Sequence, residues 1–245
     1  MAMSLFTTIA GVRATQGIAE TERQDAARAE ISGHVVQMSE FDRTGQSARR
    51  NEIVTLARQV ESLIAHYGQR ELNLSASTYR LIGLFLSLST TDLELAERMA
   101  NRALELAARR VPDGVGGLRM DDPLEALQAH RVLGDVAAQN LDFDTMTKAY
   151  ESALEISEME GARNRYINIE GRQYTRVYWA LSAMLLADDL DNPVAGTCLE
   201  VRRRADVARK DFEVLGNQPE IVRRARRIES NVCATWIDLP SLKKY

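Results

Sequence analysis

Apolar residues recur every three or four positions along most of this chain, the spacing that places them on one face of an α-helix. The stretch from Arg49 to Tyr67 shows this best, because its apolar residues form a single stripe and Gly68 can end the helix. The pattern predicts nine helices and no strand. Their approximate ranges are 4–41, 49–67, 75–88, 93–110, 122–140, 142–161, 172–187, 193–216 and 219–237.

Breaks in this pattern divide the chain into three parts. Residues 4–41 contain no proline, but their apolar residues keep helical spacing only loosely and three glycines interrupt them. We therefore expect residues 1–47 to form an N-terminal helix that is partly mobile or oligomerising. Residues 48–237 are the predicted helical repeat domain, in which 111–122 is a loop and 162–171 a bridge. Residues 238–245 are the predicted C-terminal tail.

A short stripe of mostly slim side chains recurs in four of the predicted helices, with spacings of four and then three residues. Twelve residues before three of these stripes lie Leu84, Gly134 and Ser182, each on the preceding helix. We interpret Gly134 as a packing residue whose missing Cβ lets the two helices approach. The repeat predicts helical hairpins that stack on one another. The stripes are Ile53/Ala57/Val60, Ala96/Ala100/Ala103, Met146/Tyr150/Ala153 and Val194/Cys198/Val201.

The best copy of this hairpin, residues 133–156, resembles a tetratricopeptide repeat. The matching residues are Leu133-Gly134 in the first helix, Asp142-Phe143 at the turn, and Tyr150 with Ala153 in the second helix. Leu141 stands where the turn glycine is usual, Met146 replaces an alanine, and no proline follows Ile156. The intervals of 50 and 48 residues between Leu84, Gly134 and Ser182 also exceed the usual repeat of about 34.

The resemblance implies an all-α fold of stacked antiparallel helical hairpins, that is, a TPR-like α-solenoid preceded by the long N-terminal helix. An unrelated helical bundle is the alternative. In such a solenoid the first helix of each hairpin lines a concave surface. The predicted groove residues, which would bind a peptide or helix there, are Phe85, Gln128, Arg131, Asp135, Gln139, Arg176 and Trp179. The alternative for Phe85 and Trp179 is a place in the core.

Charge adds one further candidate surface. The formal net charge of −4 predicts no strong bulk attraction to nucleic acid. From Glu200 onward, however, 11 Lys and Arg face only 7 Asp and Glu. We interpret this basic patch as a solvated, acid-paired face; the alternatives are an acidic protein partner, anionic lipid or nucleic acid. Its residues are Arg202, Arg203, Arg204, Arg223, Arg224 and Arg227.

No motif indicates chemistry. The chain has neither the paired-cysteine spacing of a metal site nor any of the common phosphate-binding or nucleophile motifs. His34, His66 and His130 lie on separate predicted helices, and Gly114–Gly117 lacks the context of a phosphate loop. We therefore expect no enzyme activity, no cofactor and no metal site.

The chain has two cysteines, Cys198 and Cys233, which are too few for a disulfide framework. Free cysteines of this kind are typical of a reducing compartment. The N-terminus has no signal-peptide pattern, and no segment predicts a membrane span. We expect a cytoplasmic protein, and the arginine-rich, lysine-poor composition is typical of a GC-rich bacterial genome. Peripheral membrane contact is left open.

These observations favour an adaptor or scaffold that binds another protein, or its own copies, in the concave groove. The first alternative is a structural homo-oligomer assembled through the N-terminal helix. The second is a binder of anionic ligands or nucleic acid that uses the basic patch.

Overall fold

The computed structural model describes residues 3–43, 50–68, 72–90, 92–114, 117–161 and 164–176, together with residues 178, 179, 182, 206 and 210. Helices dominate these ranges, so the predicted all-α class is confirmed. The predicted helices 193–216 and 219–237, the C-terminal tail and the fourth stripe lie outside the described residues, apart from isolated positions. The helices are α1 (Met3–Arg43), α2 (Arg50–Tyr67), α3 (Ala76–Ser89), α4 (Leu93–Ala107), α5 (Pro123–Gln139), α6 (Phe143–Gly161) and α7 (Arg165–Ile169), which continues as a π-helical turn (Glu170–Tyr174).

The N-terminal segment forms a single helix, as predicted. The 41 residues of α1 extend over about 60 Å at 1.5 Å per residue. Ala27, Ile31 and Met38 are buried, and α1 packs against α2 and α3. Ile18 and Val36, in contrast, are 60% and 58% exposed. Within residues 18–41, the loose periodicity of the sequence thus corresponds to a helix whose buried side chains form a narrow stripe.

Two helical hairpins follow, α3 with α4 and α5 with α6, and α5 also packs against α3 and α4. All nine described members of the slim stripes are buried, as the sequence predicts. Leu84 is not the counterpart of Gly134 that the 50-residue interval suggested. Gly83 makes the close approach instead, because a Cβ there would lie 3.0 Å from the carbonyl oxygen of Ala96.

Aspartates start three of these helices. Asp92, Asp122 and Asp142 each accept a hydrogen bond from a backbone N–H in the first turn, the usual role of an N-cap. In the turn before α6, Leu141 has φ of 59°. This left-handed conformation favours glycine, which is the residue that the repeat pattern expects there. Leu141 therefore takes the place of the usual glycine but keeps the backbone conformation of the turn.

A two-stranded antiparallel hairpin, β1 (Arg110–Pro112) and β2 (Leu118–Met120), lies between α4 and α5. The prediction of a plain loop over 111–122, and of no strand, was wrong. Asp113 closes the hairpin loop, since its Oδ1 accepts a hydrogen bond from the N–H of Gly117 at 2.8 Å. Met120 is buried in the core between α4, α5 and α6. This insertion accounts for much of the excess of the 50-residue interval over a simple hairpin repeat.

The predicted bridge 162–171 was also wrong, because helix already begins at Arg165. Asn164 Oδ1 accepts a hydrogen bond from the N–H of Tyr166 at 2.9 Å and so starts α7. Gly171 lies in the π-helical turn, where a Cβ would approach Ser157 to 1.9 Å and Leu127 to 3.1 Å. The segment after α6 therefore packs directly onto α5 and α6. Among the described residues no helix combines the length and the apolar character needed to cross a bilayer.

Candidate functional site

Helix α5 presents two opposite polar faces, and each is a candidate site. The first carries the predicted groove residues Gln128, Arg131, Asp135 and Gln139, which repeat at helical spacing. The second carries His130, Ala137 and Asn140, and it forms the floor of a cleft between α4 and α6. At 3.6 residues per turn the two sets point in roughly opposite directions. Gly134 and the small residues between them pack against neighbouring helices.

On the first face, Asp135 takes part in a buried hydrogen-bond cluster. Its Oδ1 accepts from the Tyr150 hydroxyl at 2.5 Å and from the Ser182 hydroxyl at 2.6 Å. The two hydroxyl oxygens are themselves 2.8 Å apart. Asp135 therefore joins α5 to α6 and to the helical residues that follow α7, so its main role is to hold three segments together.

Burial raises the pKa of the Asp135 carboxyl, although the hydrogen bonds from Ser182 and Tyr150 and the charge of Arg131 oppose this effect. Burial, reinforced by the neighbouring Asp135, likewise raises the pKa of Tyr150 well above 10.0.

Phe85 and Trp179, the two predicted groove anchors, lie in the core. Their exposed fractions are 3% and 2%, respectively. The Trp179 ring stacks on the Tyr150 ring with centroids 5.7 Å apart and an interplanar angle of 8°. The alternative considered for both residues, a place in the core, is the one that the structure supports. Neither aromatic ring is available on the surface as a docking anchor.

A different aromatic residue lies on this face. The guanidinium carbon of Arg131 is 4.2 Å from the centroid of the Tyr178 ring, a cation–π arrangement. Tyr178 is 38% exposed, whereas Arg131, Gln128, Gln139 and Arg176 are half-buried. The sequence did not identify Tyr178, because two residues after Arg176 on a helix is a position on nearly the opposite face.

The cleft on the second face has a volume of about 450 Å³. Leu104 and Leu133 contribute apolar walls, and His130, Asn101 and Asn140 contribute polar groups. Burial lowers the pKa of His130, so its imidazole is neutral at pH 7. This cleft could not be predicted from the sequence, because its lining comes from three helices and spans residues 97 to 152.

The remaining candidates give little further chemistry. Among the described residues no group of three or more His, Cys, Asp or Glu side chains could hold a metal ion. The basic patch and both cysteines lie outside the described residues. Near the patch, Lys210 forms an ion pair with Asp206 at 2.5 Å, one of the acids expected to balance the arginines.

Comparisons with known proteins add no family to this picture: no protein-family model, no curated protein and no solved structure matches the chain significantly.

Proposed function

We propose that this protein is a non-enzymatic adaptor, built as a TPR-like stack of helical hairpins, that binds a peptide or helix of another protein on the first face of α5. The observation that carries the proposal is the half-exposed Arg131–Tyr178 pair on that face. Arginine and tyrosine are the residue types that most often dominate binding energy at protein interfaces.

The packing of the helices supports the stacked arrangement. Consecutive helices α3–α4 and α5–α6 pair through tight turns, and the first helix of the second hairpin packs on both helices of the first. This is the contact pattern of neighbouring repeats in a solenoid. The first helices α3 and α5 are also joined by a half-buried ion pair, in which Arg80 Nε donates to Glu125 Oε2 at 2.5 Å.

The chemistry of the first face supports a protein ligand. Arg131 supplies positive charge suited to carboxylate side chains, and the Tyr178 ring supplies apolar area. Gln139 adds a hydrogen-bond acceptor, since its Oε1 is buried with no partner in the part of the chain that the structure describes. Buried polar atoms normally have a partner, and an N–H group of a docked peptide would satisfy this one.

Affinity purification from the native cell with quantitative mass spectrometry tests the proposal. The bait proteins are the wild type, Arg131→Glu, Tyr178→Ala and, as a matched control, Tyr166→Ala. Tyr166 is 57% exposed on α7 and lies outside the proposed face. We expect the same partner to be lost with the first two variants and retained with the third. The proposal fails if every partner survives both substitutions in folded protein.

A second candidate function, homo-oligomerisation through α1, is favoured by the exposed apolar side chains of Ile18 and Val36. A solitary helix gains little stability from its own hydrogen bonds in water, and pairing between copies would bury these side chains. Light scattering on the full chain decides this alternative. A wild-type monomer at micromolar concentration, or an oligomer insensitive to Ile18→Glu and Val36→Glu, would refute it.

A further inference from the structure

The cleft over α5 lies on the side of the helix opposite the proposed adaptor face, so it calls for a separate explanation. Its lining comes from one face of α4, one face of α5 and one face of α6. The volume of about 450 Å³ falls within the range of ligand-binding clefts in proteins. A cleft lined by three helices offers contacts to several residues of an extended ligand.

Three polar side chains line the cleft without internal partners. Within the described residues, no hydrogen bond joins the Asn101 carboxamide, the Asn140 carboxamide or the His130 imidazole to another protein group. Each carboxamide carries donors and an acceptor, which is the complement of a peptide group, and neutral histidine carries one of each. Together they form a short row of groups able to hydrogen-bond an extended backbone.

Charge determines which kind of peptide fits. Lys148 and Asp142 both line the cleft, and the pKa of Asp142 is lowered mainly by its hydrogen bonds with Thr145 and to a smaller extent by the charge of Lys148. No cation pairs with Glu97 among the residues that the structure describes, since the neighbouring Arg98 pairs with Glu61 and Glu94 instead. The charged side chains that line the cleft are Glu97, Asp142 and Lys148, so its lining carries one net negative charge and suits a cationic ligand.

We propose that this cleft binds an extended segment of a partner protein that carries arginine or lysine side chains. The carboxamides of Asn101 and Asn140 hold the peptide backbone. Glu97 receives a cationic side chain, while Leu104 and Leu133 contact its aliphatic part.

Nuclear magnetic resonance of the full chain tests this inference with defined probes. The probes are the capped peptides Ac-Ala-Arg-Ala-Arg-Ala-NH₂ and Ac-Ala-Glu-Ala-Glu-Ala-NH₂, with arginine amide as the small cation. We expect the basic peptide alone to shift the side-chain amide signals of Asn101 and Asn140 and the imidazole signals of His130. Asn101→Ala should weaken its binding, whereas Asn51→Ala, an exposed helical asparagine on α2, should not.

Charge substitutions give a readout that depends on sign. Glu97→Gln should weaken binding of the basic peptide about twofold to fivefold, the size of a single exposed ion pair. Lys148→Gln should strengthen binding by a similar factor. No shift in the cleft, equal shifts with the acidic peptide, or full reproduction of the shifts by arginine amide would each overturn the proposal. Arg131→Glu should leave these shifts unchanged, so failure here and failure of the adaptor face are distinguishable.

Discussion

Replacing Gly134 by alanine tests whether the close approach of α5 and α6 is structurally required. By helix propensity alone, Gly134→Ala should stabilise the protein by about 1 kcal/mol. The packing predicts the opposite sign. A Cβ at this position would lie 2.5 Å from Cε2 and 2.7 Å from Cδ2 of the Tyr150 ring, whereas carbon atoms in contact normally stay about 3.5–4.0 Å apart. The ring would have to retreat by about 1 Å.

That retreat is costly because the Tyr150 ring is held on two sides. Its hydroxyl donates to Asp135 at 2.5 Å, and its face stacks on Trp179. Overpacking a core costs about 1–3 kcal/mol, and weakening a hydrogen bond to a carboxyl group adds to that cost. After subtraction of the gain in helix propensity, we expect Gly134→Ala to lower the free energy of unfolding by about 1–3 kcal/mol.

Urea unfolding followed by circular dichroism measures this change. Gly33→Ala is the matched control, since Gly33 is an exposed helical glycine where an added Cβ would meet nothing within 4 Å; we expect it to stabilise by up to about 1 kcal/mol. In a Tyr150→Ala background the penalty of Gly134→Ala should disappear, which isolates the contact. If Gly134→Ala stabilises the wild type as much as Gly33→Ala does, the packing argument is refuted.

Three further substitutions test other parts of the structure. Burial raises the pKa of Asp135, so ionisation of this carboxyl in the folded state lowers the free energy of unfolding as pH rises from 3.8 through that raised pKa. Asp135→Asn removes this loss. Urea titrations should therefore show the free energy of unfolding of the variant rising relative to that of the wild type from pH 4 to pH 7. Leu141→Gly should stabilise by about 0.5–1 kcal/mol in thermal or urea unfolding, because φ is 59° there and glycine adopts this conformation without strain; unchanged stability would contradict this. Arg80→Met should cost about 3–5 kcal/mol by leaving Glu125 half-buried without its cation, and Arg80→Met/Glu125→Leu should recover most of that loss. Additive losses in that double variant would contradict the last expectation.

The sequence predicted helices well where one apolar stripe faces one neighbour. The stripes Ala96/Ala100/Ala103 and Met146/Tyr150/Ala153 are buried because slim side chains at spacings of four and three residues must face the partner helix. Helix starts were predictable for a local reason, since Asp122 is followed directly by Pro123. These signals act over a few residues and need no knowledge of the rest of the fold.

The β-hairpin could not be predicted in the same way. Strands of three residues, such as Arg110–Pro112, are too short to show an alternation of apolar and polar positions. Their pairing depends on the closure between Asp113 and Gly117 and on the burial of Met120. The Asp113–Gly117 closure could be recognised from the sequence only as a polar, glycine-rich loop. The burial of Met120 depends on helices that are distant in sequence.

The accessibility of the side chains on α5 could not be predicted from the pattern of that helix alone. A helical wheel separates Asp135 from Leu133 and Gly134, and this placed Asp135 on an open groove. The segment after α7 packs onto that face, so that Ser182 contacts Asp135 and Trp179 covers the Tyr150 ring. Which polar side chains stay accessible is therefore decided by a third segment, whose packing against α5 the sequence did not reveal.

The two proposed surfaces share α5, and the position of this helix links them physically. Arg131 and Gln139 project to one side of it, while His130 and Asn140 project to the other. Substitution of a side chain on either surface should disturb binding at that surface alone. Gly134→Ala pushes the Tyr150 ring away from α5, and if α5 shifts with it, both sets of side chains move relative to their neighbours. Loss of binding at both surfaces in that variant, without loss of helix content, would show that a rigid α5 positions them both.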